Sequence, residues 1–178
     1  MLITPAGARK GELQTTDIVK LDVVRLSSSG EQIPTDMGLR PSSEAGMHLA
    51  VYRNRRDIHA CVHSHAPHAT AFAVAGIEPE IDVLPEVSVF IGRIALTEYA
   101  PPGTPAVGES LKPLLTDCNA FLLKNHGLLT IGKNLAEALN RHEIVEQYLK
   151  ILTLAKSLGN VNHLDPAEMQ RLQKLTSG

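Results

Sequence analysis

His63-Ser64-His65 stands where an apolar run gives way to a helix start, and Asn125-His126-Gly127 closes a second apolar run about sixty residues later. Alternation along a strand puts His63 and His65 on one face, with both imidazoles aimed at one point. A third imidazole from the end of another strand completes three nitrogen ligands and leaves a position open, the pattern of a catalytic rather than a structural zinc. The chain has eight histidines, so ordinary core or surface roles are the alternative for these three. Cys61 shares their strand face and offers a Cys-His-His set, although its place deeper in the apolar run also suits a small core residue. His68 follows His65 by three residues and reads either as a polar group near a pocket or as a participant in the chemistry.

Ser42-Ser43-Glu44 is the other chemically suggestive stretch. Glu44 suits a first-turn acid favoured by the helix dipole, and equally a carboxylate moving a proton beside a metal-bound carbonyl. Ser42 and Ser43 read as caps, or as hydroxyls that join helix-terminal amides in holding a phosphate. The Thr4-Pro5-Ala6-Gly7 turn can add amide donors from the opposite side.

These groups need elements to hold them. Residues 1–26 read as two or three short strands, Ser27 to Gly30 as a turn, and Pro34 to Pro41 as a loop. A helix begins at Ser42-Ser43-Glu44, with a hydroxyl cap and an acid in its first turn, and ends near Arg55. Ile58 to His63 is a strand, followed by a helix with Pro67 near its start and Gly76 as its stop. Short strands are expected at Val87–Ile91 and Ile94–Leu96, and a helix from about Val107 to Asp117. Ala120–Lys124 and Leu128–Ile131 are apolar strands. Asn134 caps the last long helix, with Glu137 three residues on, an apolar stripe of Leu135, Leu139, Ile144, Val145, Tyr148, Leu149 and Leu152, and Gly159 as its end. In the tail, Leu164, Met169 and Leu172 have helical spacing, for a final helix that caps a neighbour's site or packs on its own subunit. Several strand connections are too short for a crossover helix, so the expected architecture is helices covering a mixed, mostly antiparallel sheet.

Composition narrows the class. The 178 residues suit one domain, and 43% hydrophobic with 20% charged is the balance of a soluble globular protein. Aromatics are only 3%, so aliphatic side chains must fill the core. A formal charge of -2 argues against nucleic-acid or membrane-surface partners. Cys61 and Cys118, with no signal peptide, point to reduced thiols and the cytoplasm. The chain opens directly as a strand at Met1-Leu2-Ile3, and the expectation is that a segment ordinarily precedes it.

Taken in order, Leu2-Ile3-Thr4-Pro5-x-Gly7, Pro41-Ser42-Ser43-Glu44 with His48, His63-x-His65, Tyr99-Ala100-x-Pro102-Gly103-Thr104 and Asn125-His126-Gly127 resemble the class II aldolase/adducin-like family, most closely its fuculose-phosphate aldolase type. The resemblance implies an α/β fold, a three-layer α/β/α single domain over residues 1–178 without the family's N-terminal helix and Gly-Asn loop. It implies Zn2+, or another divalent transition metal, on His63, His65 and His126 with Glu44 also able to touch it, Glu44 as acid/base, and Gly7, Ser42 and Ser43 on a substrate phosphate. The implied reaction is aldol cleavage of a phosphorylated ketose, such as fuculose 1-phosphate, to dihydroxyacetone phosphate and an aldehyde, in a homotetramer. Dehydration of a methylthioribulose phosphate, 4-epimerisation of a pentulose phosphate and a non-catalytic, adducin-like assembly role are the alternatives. Glu44, where the epimerases carry aspartate, speaks mildly against epimerisation. Two differences stand out: Ala6 occupies a place where related aldolases often carry a hydroxyl, and Ile81 to Leu84 lacks the fuculose-type tyrosine.

Overall fold

The computed structural model describes residues 1–21 and 38–175. A four-stranded sheet lies at its centre, in the order β3-β6-β5-β4, built from β3 (Ala60–Ser64), β4 (Ile94–Leu96), β5 (Ala120–Leu123) and β6 (Gly127–Gly132). β6 pairs antiparallel with both β3 and β5, while β4 runs parallel to β5. The sheet is mixed and mostly antiparallel, as expected.

Both faces of this sheet are covered, which explains why β5 and β6 read as unbroken apolar runs rather than alternating ones. Ala120 and Leu122 of β5 point to one layer, formed by α2 (Pro67–Ala75), α3 (Pro85–Phe90) and α5 (Leu135–Leu158). Phe121 and Leu123 point to the other layer, formed by α1 (Ala45–Asn54) and α4 (Pro105–Leu111). The layers α/β/α follow directly. α1 and α4 touch closely at Gly108, where a Cβ would stand 2.7 Å from the Cβ of Ala50.

The N-terminal segment forms its own two-stranded ribbon of β1 (Leu2–Ile3) and β2 (Val19–Lys20), with 3-10 turns at Lys10–Glu12 and Thr15–Asp17 between them. Its third small cluster holds Ile3, Val19 and Leu21. Residues 22–26, the Ser27 to Gly30 turn and the first half of the loop expected over Pro34 to Pro41 lie outside the described residues.

Four expectations need correction. Val87–Ile91 is not a strand: Pro85 opens α3, and Val87 and Ile91, one helical turn apart, both face the core. The helix expected to Asp117 ends at Leu111 and continues only as a 3-10 turn, Lys112–Leu114, because Pro113 withholds the amide that the helical ladder needs. Leu135 and Leu139 of α5 are exposed, so the buried stripe there is Ala138, His142, Val145, Tyr148, Leu149 and Leu152. Glu44 sits at the N-cap position of α1 rather than in its first turn, and no side chain caps that helix; the Ser42 hydroxyl accepts from the Glu44 amide at 3.3 Å instead. The final helix, α6 (Pro166–Leu175), packs on α3 of its own chain, where the Ser88 hydroxyl reaches the Met169 sulfur at 3.2 Å.

Candidate metal centre and active site

β3 pairs Ser64 with Leu128 and His63 with Leu129, so the end of β3 and the start of β6 lie side by side. The β5–β6 hairpin turns through Lys124, Asn125 and His126 at that same end of the sheet. Asn125 takes the left-handed conformation (φ 56), which asparagine tolerates better than most residues. Its amide donates to the Ala73 carbonyl of α2 at 3.1 Å, and the Lys124 amide to the hydroxyl of Thr97, just after β4, at 3.2 Å, so the tip is fixed from two elements. His126 is thereby delivered next to His63 and His65.

The three rings are mutual neighbours, with centroids 4.8 to 5.5 Å apart. One ligand atom from each lies within 4.8 Å of the others. Gly127 makes this approach possible. A Cβ there would meet the Ser64 carbonyl oxygen at 2.6 Å, His65 Cδ2 at 3.0 Å and His63 Cε1 at 3.3 Å. His63 Nδ1 donates to the Leu128 carbonyl at 2.9 Å, which fixes the tautomer and leaves Nε2 with its lone pair. Burial, together with the neighbouring His126, His48 and His65 rings, holds His63 down at about 3 against the raising effect of the Leu128 carbonyl. His126 is also lowered, by burial and by His65, against the opposing charge of Glu44. Neutral imidazoles are the form that binds a metal.

Glu44 comes to this cluster from the start of α1. Its charge acts on His126, and its Oε2 is buried with no hydrogen-bond partner, as is His126 Nδ1. A buried carboxylate oxygen and a buried ring nitrogen without partners are costly unless something else satisfies them. The three imidazoles are the set close enough to hold a cation, which would satisfy the His126 ring; Glu44 stands outside that set, and the residues present fit a divalent transition metal. Cys61 is outside the cluster: it lies on the α1–α4 side of the sheet beside Tyr52, and burial pushes its thiol up to about 12.

Ser42, Ser43 and Gly7 lie along the same edge. The Ser42 amide donates to the Thr4 carbonyl at 3.1 Å and the Ala6 amide to the Arg40 carbonyl at 2.9 Å, tying the N-terminal turn to the start of α1. Those two amides are spent. This edge also carries the Ser42 and Ser43 hydroxyls and the amide of Gly7, whose φ of 72 shapes the turn. Two further groups lie near the centre: Lys10, which the sequence did not single out, and His48, which entered only as part of the family motif. Lys10 Nζ donates to the His63 carbonyl at 3.1 Å. His48, one turn after Glu44 on α1, is held at about 4 by burial and by Lys10. Pattern alone cannot point to Lys10, since its partner is 53 residues away in the sequence.

Residues 1–153 match the family described as the class II aldolase and adducin N-terminal domain. The chain belongs to this family. An L-fuculose phosphate aldolase of Methanococcus maripaludis is 33% identical to the chain over 158 residues, covering 88% of it and 80% of the relative. A 3-oxo-tetronate 4-phosphate decarboxylase of Pectobacterium atrosepticum is 35% identical over 156 residues, covering 85% of the chain and 68% of the relative. Among solved structures, that of an L-fuculose 1-phosphate aldolase superposes with a TM-score of 0.84 at 32% identity, over 100% of this chain and 80% of the other. The class II aldolase fold expected from the motifs is therefore the fold observed, and the relatives carry the enzyme class read from the sequence. Among the described residues, no helix is long and apolar enough to cross a membrane.

Proposed function

We propose that the chain is a metal-dependent lyase that cleaves a phosphorylated ketose by a retro-aldol reaction, as fuculose-phosphate aldolases are named for doing. One observation carries the reading: three imidazoles converge at the end of the sheet, and the charge of Glu44, whose Oε2 is buried and unpartnered, acts on one of them, His126. His63, His65 and His126 would hold the cation, zinc being the metal that imidazole ligands suit, with Glu44 able to join them. A bound cation supplies Lewis acidity at the substrate carbonyl.

The remaining work falls to the chain's own groups. In cleavage the Glu44 carboxylate takes up the proton that the substrate hydroxyl gives up as the carbon–carbon bond breaks and that oxygen becomes the aldehyde's, and returns it to the carbon left with the electron pair; condensation runs the same transfers in reverse. The hydroxyls of Ser42 and Ser43 and the Gly7 amide hold the phosphate away from the reacting bond, where binding energy fixes register. Lys10 adds a cation on the same side. The homotetramer and the cytoplasmic setting belong to the same proposal. Leu135 and Leu139, exposed one turn apart on α5, are side chains a subunit contact would cover.

A second reading draws on the 35% identity to the decarboxylase. Loss of carbon dioxide from a 3-oxo acid also leaves an electron pair on the carbon beside a carbonyl, so the same cation and proton donor would serve. The products separate the two. Purified protein loaded with zinc should release an aldehyde from fuculose 1-phosphate, and Glu44→Gln should lose roughly 10² to 10⁴ of that rate while keeping one zinc per chain. Carbon dioxide from a 3-oxo acid phosphate, with no aldehyde from ketoses, would favour decarboxylation. Full activity in Glu44→Gln would sink the assigned role of this carboxylate.

A further inference from the structure

Ser64 lies between two of the clustered histidines and, by strand alternation, points the other way, towards α5. There its hydroxyl donates to His142 Nε2 at 2.7 Å. The direction follows from the rest of the chain of bonds. Thr130 Oγ1 donates its one hydrogen to the Ala138 carbonyl at 2.8 Å, so towards His142 Nδ1, 3.2 Å away, it can only accept. His142 therefore carries its hydrogen on Nδ1 and receives Ser64 on Nε2. Thr130 and His142 are both buried.

One turn further along α5, Glu146 reaches the segment on the other side of His65. Its carboxylate accepts from the His68 amide at 3.1 Å, the Ala69 amide at 3.0 Å and His68 Nδ1 at 2.8 Å. α2 has no cap of its own, since Ala66 occupies the N-cap position, so Glu146 satisfies amides that would otherwise be orphaned. His65 itself is exposed. Besides the pairing of β3 with β6 and the His63 ring's bond to Leu128, side chains of the flanking Ser64 and His68 tie the stretch to α5.

The buried positions of α5 are Ala138, His142, Val145, Tyr148, Leu149 and Leu152, and the series 138, 142, 145, 149, 152 steps by four and three as in any core-facing helix. An aliphatic residue at 142 would suit that face. A satisfied polar network there specifies one arrangement of β3 rather than adding bulk to the core.

We infer that His142 and Glu146 are positioning residues for the metal centre: through Ser64 and the first turn of α2 they fix the stretch that presents His63 and His65, and so set the affinity for a divalent cation. The inference rests on the metal-binding reading above. It is tested on the full chain with zinc alone, measuring stoichiometry and Kd by chelator competition beside the thermal midpoint of the metal-free protein. His142→Leu fits the core pattern and should keep the midpoint, yet weaken zinc binding tenfold or more with one zinc still bound; Glu146→Gln should weaken it similarly. Wild-type zinc affinity in both variants would overturn the positioning role and leave the metal reading intact. Should His142→Leu fail to fold, Ser64→Ala and Ser64→Thr decide: weakened affinity in the first and recovery in the second support the role, and equal affinities overturn it. No zinc on the wild-type protein would overturn the metal reading, and this role with it.

Discussion

Gly127 shows how little room the site leaves. It lies where β6 passes the end of β3, and any side chain would strike the Ser64 carbonyl and crowd both neighbouring imidazoles. Gly127→Ala must therefore push apart the rings it now lets converge. The cost should be about 1–3 kcal/mol of stability, and zinc affinity should fall at least tenfold; a variant with wild-type Kd and midpoint would contradict the close packing. Sequence pattern pointed to His63, His65 and His126 because each closes an apolar strand, and a strand's end announces itself locally. Thr130, His142 and Glu146 gave no such sign. Glu146 meets its partners across 77 and 78 positions, and a lone carboxylate on a long amphipathic helix looks like any solvent-facing one. Glu44 was legible as a candidate, but its spacing alone equally suited a dipole-compensating acid.

At the scale of elements, α5 is the beam from which the candidate site is braced. Its start is held by the Asn134 side chain, which accepts from the Glu137 amide at 2.8 Å, and by Glu137, which accepts from the Lys133 amide at 2.6 Å. Asn134→Ala should cost about 1 kcal/mol, or a thermal midpoint lower by about 2–4 °C for a chain of this size. Zinc affinity should hold, because His142 lies two turns inside the helix and does not depend on its cap; a parallel loss of zinc would mean the helix start and the metal centre move together. The cap and the Gly159 stop were readable from residue types. So was the later part of the buried face, Val145, Tyr148, Leu149 and Leu152; its first part was not, because a histidine occupies it and the apparent stripe fell on Leu135 and Leu139, which face outwards. α3 failed for a related reason: Val87 and Ile91 are β-branched, yet Pro85 and the four-residue spacing make them one side of a short helix.

For the molecule as a whole, gathering neutral imidazoles has a cost that pH exposes. His48 and His63 titrate at about 4 and about 3 in the fold, chiefly through burial. In the unfolded chain an imidazole takes its proton near ~6.5. Between those values the unfolded state binds protons that the folded state refuses, so stability rises with pH across the window. It is complete above ~6.5 and drains away as pH falls towards the folded values, by about 1.4 kcal/mol per pH unit for each imidazole kept neutral. Glu146 also favours the fold at higher pH. Burial would raise it, but the amides of Ala69 and His68 and the His68 ring outweigh burial and hold it below the ordinary glutamate value. That contribution is lost only as pH falls through the carboxylate range, below ~4.3. The two causes thus act in different windows. Urea midpoints of the metal-free protein should decline from pH 6.5 to 4.5, before the carboxylates begin to matter, and zinc should steepen the decline because it binds only the neutral rings. A midpoint flat down to pH 5 would mean that the imidazoles accept protons inside the fold, and that the end of the sheet is wetter than its packing indicates.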